Sequence, residues 1–211
     1  MKVFRVNDIF YSLQGEGHNT GRAAVFIRFA GCNLRCPFCD TEFDEYREMT
    51  AEEVVETIPH HPTPISPLVV LTGGEPTLQV DEEFVDLLHQ HGYEVAMESN
   101  GTRPAPKNLD WLTVSPKSLG DGRMVKSIGR LPDELKVIFD EETDPMLVLT
   151  DYLPQGISHS SFLISHLCFL QPCDTGDAER NAAIIQRCVE YIKAHPQWRL
   201  SLQTHKLVGF K

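Results

Sequence analysis

Three of the chain's six cysteines stand in Gly31-Cys32-Asn33-Leu34-Arg35-Cys36-Pro37-Phe38-Cys39-Asp40-Thr41, spaced C-x3-C-x2-C. Thiolates are the natural ligands of iron–sulfur clusters, and a short loop can wrap three of them around one cubane. Three ligands leave one iron of a [4Fe–4S] cluster without a protein donor, and an open position of that kind separates a reactive metal site from a structural one. Two plainer readings stand beside this one. A zinc knuckle would want a fourth Cys or His at a matching short spacing, which is missing; the other is three buried structural thiols. A second motif, Leu68-Val69-Val70-Leu71-Thr72-Gly73-Gly74-Glu75-Pro76, is an apolar run ending in paired glycines. Glycines let backbone approach a ligand closely, although Gly-Gly-Glu-Pro alone is also a simple turn. Cys168, Cys173 and Cys188 are scattered and read as buried thiols.

Such motifs need a scaffold. The chain has 211 residues, 41% apolar and 23% charged, which suits a globular protein with a real core, taken as one domain over 1–211. With 19 Lys+Arg against 30 Asp+Glu the net charge is −11, which argues against nucleic acid as the main partner. No apolar run approaches the ~20 residues of a membrane span, and the first residues carry charges where a signal peptide needs its apolar stretch, so the expected location is cytoplasmic. Clustered cysteines in a reducing compartment point to a metal or cluster and not to disulfides. Short apolar runs predict strands at 24–29, 68–71, 93–98, 111–114, 134–139, 166–170 and 198–203. Helices are expected after Thr50 (Thr50-Ala51-Glu52-Glu53 has capping-box form), over 81–91 and over 177–195, the last with Ile185, Cys188, Val189 and Ile192 as its apolar stripe. The stretches 59–67, 116–132 and 152–161 show no periodicity. Alternating strands and helices, with too few helices for eight βα units, predict an α/β fold: a partial, open TIM-like barrel with reduced helix content.

The cysteine spacing, with an aromatic residue before the last cysteine, resembles that of the radical S-adenosylmethionine (SAM) enzymes, and Gly-Gly-Glu-Pro is similar to their segment that binds the methionine amino group. Further stretches narrow the likeness: Ile9-Phe10-Tyr11-Ser12-Leu13-Gln14-Gly15-Glu16-Gly17, Gly21, Arg28, Glu98-Ser99-Asn100-Gly101-Thr102, Val114-Ser115-Pro116-Lys117, Glu134-Leu135-Lys136, Leu170-Gln171-Pro172 and the closing Arg199-Leu200-Ser201-Leu202-Gln203-Thr204-His205-Lys206. Together they resemble the 7-carboxy-7-deazaguanine synthase family of queuosine and 7-deazapurine biosynthesis, from Asn7 to nearly Lys211. Ser99 departs from the family's usual threonine, and residues 140–160 match nothing usable.

The resemblance implies a carbon–nitrogen lyase that rearranges 6-carboxy-5,6,7,8-tetrahydropterin to 7-carboxy-7-deazaguanine with loss of ammonia, after a 5′-deoxyadenosyl radical removes the C6 hydrogen. By the same carry-over, Cys32, Cys36 and Cys39 hold a [4Fe–4S] cluster and Thr41 a Mg²⁺ ion beside it, a hydroxyl being a suitable hard ligand. Phe38, Cys39, Asp40, Gly74, Ser115, Pro116, Lys117, Gln171, Pro172, Cys173 and Asp174 surround SAM. Leu13, Gln14, Gly15, Glu16, Arg28, Thr72, Glu98 and Lys211 face the pterin. Glu16 and Glu98 are suited to accept from its 2-amino and ring N–H groups, backbone groups of 13–15 to frame the ring edge, and Arg28 to pair with its carboxylate. No histidine is assigned a role in catalysis. The family also implies a homodimer and a flavodoxin- or ferredoxin-type electron donor. A glycyl-radical activating enzyme acting on a protein loop is the rival within the superfamily, and a non-catalytic zinc adaptor the rival outside it.

Overall fold

The computed structural model describes residues 2–42, 44–58, 67–117, 130–154 and 156–211. Its strands are β1 (Val3–Leu13), β2 (Ala23–Phe29), β3 (Arg47–Thr50), β4 (Leu68–Gly73), β5 (Glu94–Ser99), β6 (Trp111–Val114), β7 (Glu134–Phe139), β8 (Leu167–Pro172) and β9 (Arg199–Leu200). They form one open sheet in the order β3-β1-β2-β4-β5-β6-β7-β8-β9. Pairing is parallel from β2 to β9, while β1 runs antiparallel to both β2 and β3. A row of parallel strands that does not close on itself is the partial barrel that the alternation predicts.

The helices are α1 (Ala51–Thr57), α2 (Glu82–Gln90), α3 (Pro145–Tyr152), α4 (His159–Ser165), α5 (Ala178–Ala194) and α6 (Thr204–Val208). Thr50 and Glu53 make the expected capping box, with Glu53 N–H to Thr50 Oγ1 at 3.2 Å and Thr50 N–H to Glu53 Oε2 at 2.7 Å. Asp81 and Asp177 cap α2 and α5 through the N–H groups of Phe84 and Arg180. No helix among the described residues is long and apolar enough to cross a membrane.

Alternation along the strands divides the side chains between two environments. On the outer face Val25, Ile27, Phe29, Val69, Leu71, Val95 and Met97 pack with Val54, Val55, Phe84, Val85, Leu88, Ile184 and Cys188 of the helices. On the inner face Ala24, Leu68, Val70 and Ala96 make a small apolar plug, with Phe26 and Trp111 against it. Beyond that plug, toward the carboxyl ends of the strands, the inner face turns polar.

Several sequence expectations are corrected. Strands β1 and β3 were not anticipated. The expected strand at 198–203 shrinks to Arg199–Leu200, after which the chain leaves the sheet. Helices α3 and α4 occupy residues left unassigned or read as irregular, with α4 beginning inside 152–161. In α5 the residue turned to the core is Ile184, with Cys188 one turn on, and Ile185 is exposed. The irregular stretches at 59–66 and 118–129 lie outside the described residues.

Candidate functional site

A cavity of about 510 Å³ opens at the carboxyl ends of the parallel strands. Its floor comes from inward residues two apart: Phe26 and Arg28 on β2, Lys136 and Ile138 on β7, and Thr113 and Ser115 at and after the end of β6. Thr72 pairs with Arg28 across β4 and β2, and Glu98 with Thr113 across β5 and β6, so register brings these side chains together. The loop carrying Cys32, Cys36 and Cys39 forms one wall, and none of the three is in a disulfide.

The root of that loop is held by backbone. Gly74 N–H donates to Phe29 O and Glu75 N–H to Gly31 O, each at 2.9 Å. A Cβ on Gly74 would lie 1.9 Å from Gly31 O, and one on Gly73 2.4 Å from Phe29 backbone. Chain crossing chain therefore already requires the glycine pair, which also lines the cavity. Glu75 is fully buried and knits neighbours together: it accepts from Thr77 N–H and hydroxyl, from Ser99 Oγ at 2.8 Å and from Asn100 N–H at 2.7 Å. The Ser99 hydroxyl meets that need without the extra methyl of threonine. Asn100 Nδ2 then reaches Asn33 Oδ1 at 3.0 Å and Cys32 Sγ at 3.8 Å, and Leu34 N–H points to the same sulfur at 3.4 Å. Two N–H donors on one sulfur suit a thiolate. Burial pushes the Cys32 and Cys36 thiols up, so a positive centre is needed to deprotonate them. Three free cysteines on one cavity wall, with two N–H donors on Cys32, suit a cluster in which three irons each take one thiolate.

On the floor, Lys136 Nζ donates to Glu16 Oε2 and lies 3.7 Å from Glu98 Oε2. Gln203 Nε2 donates to Glu16 Oε1 at 3.0 Å, and Gln14 Nε2 to Glu98 Oε1 at 2.8 Å. Burial alone would raise Glu16; the ammonium of Lys136 and hydrogen bonds from Lys136, Gln203 and Gln171 overcome it and bring its pKa to about 2. Lys117 is driven the other way, to about 8, by burial and by the like charge of Lys136. Its ammonium lies 5.5 Å from the Phe38 ring centroid. Arg28 makes no ion pair among the described residues: its buried Nε has no hydrogen-bond partner and its guanidinium lies 5.4 Å from the Phe10 ring centroid. Lys211 shares that ring at 4.4 Å and pairs with Asp8 at 2.6 Å. At the mouth, Lys206 bridges Asp40 (2.7 Å) and Asp174 (2.8 Å), holding both carboxyl groups below their ordinary values.

Of the residues singled out from sequence, Cys32, Cys36, Cys39, Phe38, Asp40, Thr41, Gly74, Ser115, Lys117, Gln171, Pro172, Cys173, Asp174, Leu13, Gln14, Gly15, Glu16, Arg28, Thr72, Glu98 and Lys211 all line this cavity. Pro116 is buried and does not. Part of the backbone of 14–15 is already engaged: Gln14 N–H and C=O pair with Arg22 and Gly21, and Gly15 C=O accepts from Thr204. Gly15 is small because a Cβ would sit 2.4 Å from His205 Nδ1. Sequence reading missed Lys136, Gln203, His205, Asn100 and Phe10 as cavity residues. The charge of Lys136 between the apolar Leu135 and Val137-Ile138-Phe139 was the available signal.

Comparison with known proteins identifies a family. Residues 26–129 match the family model of the Radical SAM superfamily. The chain is 43% identical over 210 residues to the 7-carboxy-7-deazaguanine synthase of Bacteroides thetaiotaomicron, covering 98% of each chain. It is 41% identical over 233 residues to the enzyme of the same name from Nitratidesulfovibrio vulgaris, covering 98% of this chain and 99% of that one. Among solved structures, the crystal structure of QueE from Escherichia coli superposes with a TM-score of 0.73 at 26% identity, covering 95% of this chain and 93% of the other.

Proposed function

The chain belongs to the 7-carboxy-7-deazaguanine synthases of the radical SAM superfamily, and from that premise we propose that it converts 6-carboxy-5,6,7,8-tetrahydropterin to 7-carboxy-7-deazaguanine with release of ammonia. The observation that carries this is the floor of the cavity. Arg28, with its buried Nε unpartnered, is a cation waiting for an anion, and across from it Glu16 and Glu98 offer only acceptors. A pterin bearing a carboxylate at one end and N–H groups at the other has the matching pattern. The activase reading is not favoured, since the curated relatives bear the synthase name over almost their whole length.

The family's cofactors are a [4Fe–4S] cluster and SAM, and Mg²⁺ is consistent with it. Cys32, Cys36 and Cys39 would hold the cluster and Thr41 the Mg²⁺. Phe38, Asp40, Gly74, Ser115, Lys117 and the Gln171–Asp174 stretch would surround SAM. With both held there, the chemistry supplied would be that of a 5′-deoxyadenosyl radical. The chain's own task is positional: Arg28 and Thr72 fix the carboxylate end, Glu16 and Glu98 fix the ring, and the plug beneath excludes water. Residues 1–211 act as one domain in this reading. We assign the protein to the cytoplasm, with a flavodoxin- or ferredoxin-type donor and a homodimeric assembly.

The test is anaerobic turnover of iron-reconstituted protein with SAM, Mg²⁺ and the carboxytetrahydropterin, followed by mass spectrometry. The expected product is 7-carboxy-7-deazaguanine. Appearance of 5′-deoxyadenosine without it would overturn the substrate and keep the superfamily.

A further inference from the structure

Lys136 sits in the middle of β7 with only 5% of its side chain exposed, and it touches two acids that arrive from separate elements. Glu16 comes from the β1–β2 connection and Glu98 from β5; the oxygens that Lys136 leaves are held by the amides of Gln203 and Gln14. The other charged groups facing this cluster are Glu134 on the same strand, Lys117 after β6, and Asp40, which Gln203 links to Glu16. An ionised carboxylate is an acceptor only, whereas a protonated one also donates. Two acids brought to one nitrogen lose the charge that offsets their mutual repulsion when that nitrogen is removed.

We infer that Lys136 is a specificity-determining residue for the substrate ring: by joining Glu16 to Glu98 it keeps both as acceptors, so the floor takes an edge of N–H donors and rejects an edge of carbonyls. This deepens the pterin reading and rests on it. Glu16, held near 2 by Lys136 and its amide partners against the upward push of burial, stays ionised through the physiological range. Lys136 itself needs no contact with the substrate for this; it acts through the two carboxylates.

The experiment is a binding titration of the anaerobic, SAM-loaded holoenzyme between pH 5.5 and 7.5. One probe is 6-carboxypterin and the other 6-carboxylumazine, whose carbonyl replaces the 2-amino group. The unaltered protein should favour the pterin by roughly tenfold or more, with a Kd that moves less than about threefold over the range. Lys136→Met should lose most of that preference, and its pterin Kd should tighten about tenfold as pH rises and the shared proton leaves. Lys136→Arg should restore the flat profile. A flat profile with preference intact in Lys136→Met would overturn the inference, as would a steep profile in the unaltered protein, whether or not the variant folds. Failure of the unaltered, SAM-binding protein to take up 6-carboxypterin would instead overturn the pterin reading, and the role of Lys136 with it.

Discussion

The floor of the cavity is a lattice of side-chain charges and amides, while the cysteine loop above it is fixed at its root by backbone and carries little regular structure of its own. On the floor each acid already has a cation or an amide, so the geometry exists before a ligand arrives. In the loop, Cys39 N–H to Cys36 O at 3.1 Å is the backbone hydrogen bond within the motif, and of the sulfurs Cys32 meets two N–H donors at 3.4 and 3.8 Å. The difference matches the two ligands. A flat organic ring must be read by groups already in place, because ordering them on binding would cost affinity. A metal cluster organises its own ligands, since thiolate bonds are strong enough to fold a loop around themselves.

Four perturbations break or sharpen this contrast. Cys36→Ala should be the most severe: two thiolates cannot retain the cubane, and activity should fall by more than ~10³-fold, about 4 kcal/mol, with iron content and brown colour lost in the same preparation. Gly74→Ala strikes the root, where the new Cβ would meet Gly31 O; about 3 kcal/mol of stability should go, read as a lower urea midpoint. Arg28→Ala should weaken pterin binding about 10- to 100-fold, in line with hydrogen bonds to charged groups, while unproductive SAM cleavage continues. The last effect depends on pH and concerns Glu134, whose pKa burial lifts from 4.5 to about 7 against the opposing pull of His18 N–H and Lys136. Because the folded state then holds a proton that the unfolded state has released, stability should decline as pH climbs from about 5 to 7, by at most ~1.4 kcal/mol per pH unit. Glu134→Gln should flatten that decline in thermal melts.

Legibility from sequence followed the same division. The cysteine loop, the glycine pair and the acids of the floor sit in contiguous motifs, and the apolar runs of the parallel strands declare themselves. Strand β1 did not. Its buried Phe4 and Val6 alternate properly, but the register shifts between Val6 and Asp8, and an irregularity there breaks the period of two. Lys136 stood in the Glu134-Leu135-Lys136 stretch, but its two acidic partners lie on other elements, so its role was not legible. Gln203 and Lys206 reach Glu16, Asp40 and Asp174 from a part of the chain with no local signal of that contact, because only the third dimension brings them together. The reason for the glycines was also beyond sequence, since the crossing of two chains leaves no mark in either one.

From β4 onward each strand of the sheet lies beside its neighbours in sequence, so that pairing can spread stepwise with short closures. The contacts that finish the mouth are of another kind: Gly15 with Thr204 and Glu16 with Gln203 join residues 189 and 187 positions apart. Closures of that length cost the most chain entropy and should be made last during folding. By the same reasoning they should open first, so the amide protons of Thr204 and Lys206 should exchange with solvent well before those of β4 and β5. Assembly thus ends, and breathing begins, at the entrance through which the ring must pass.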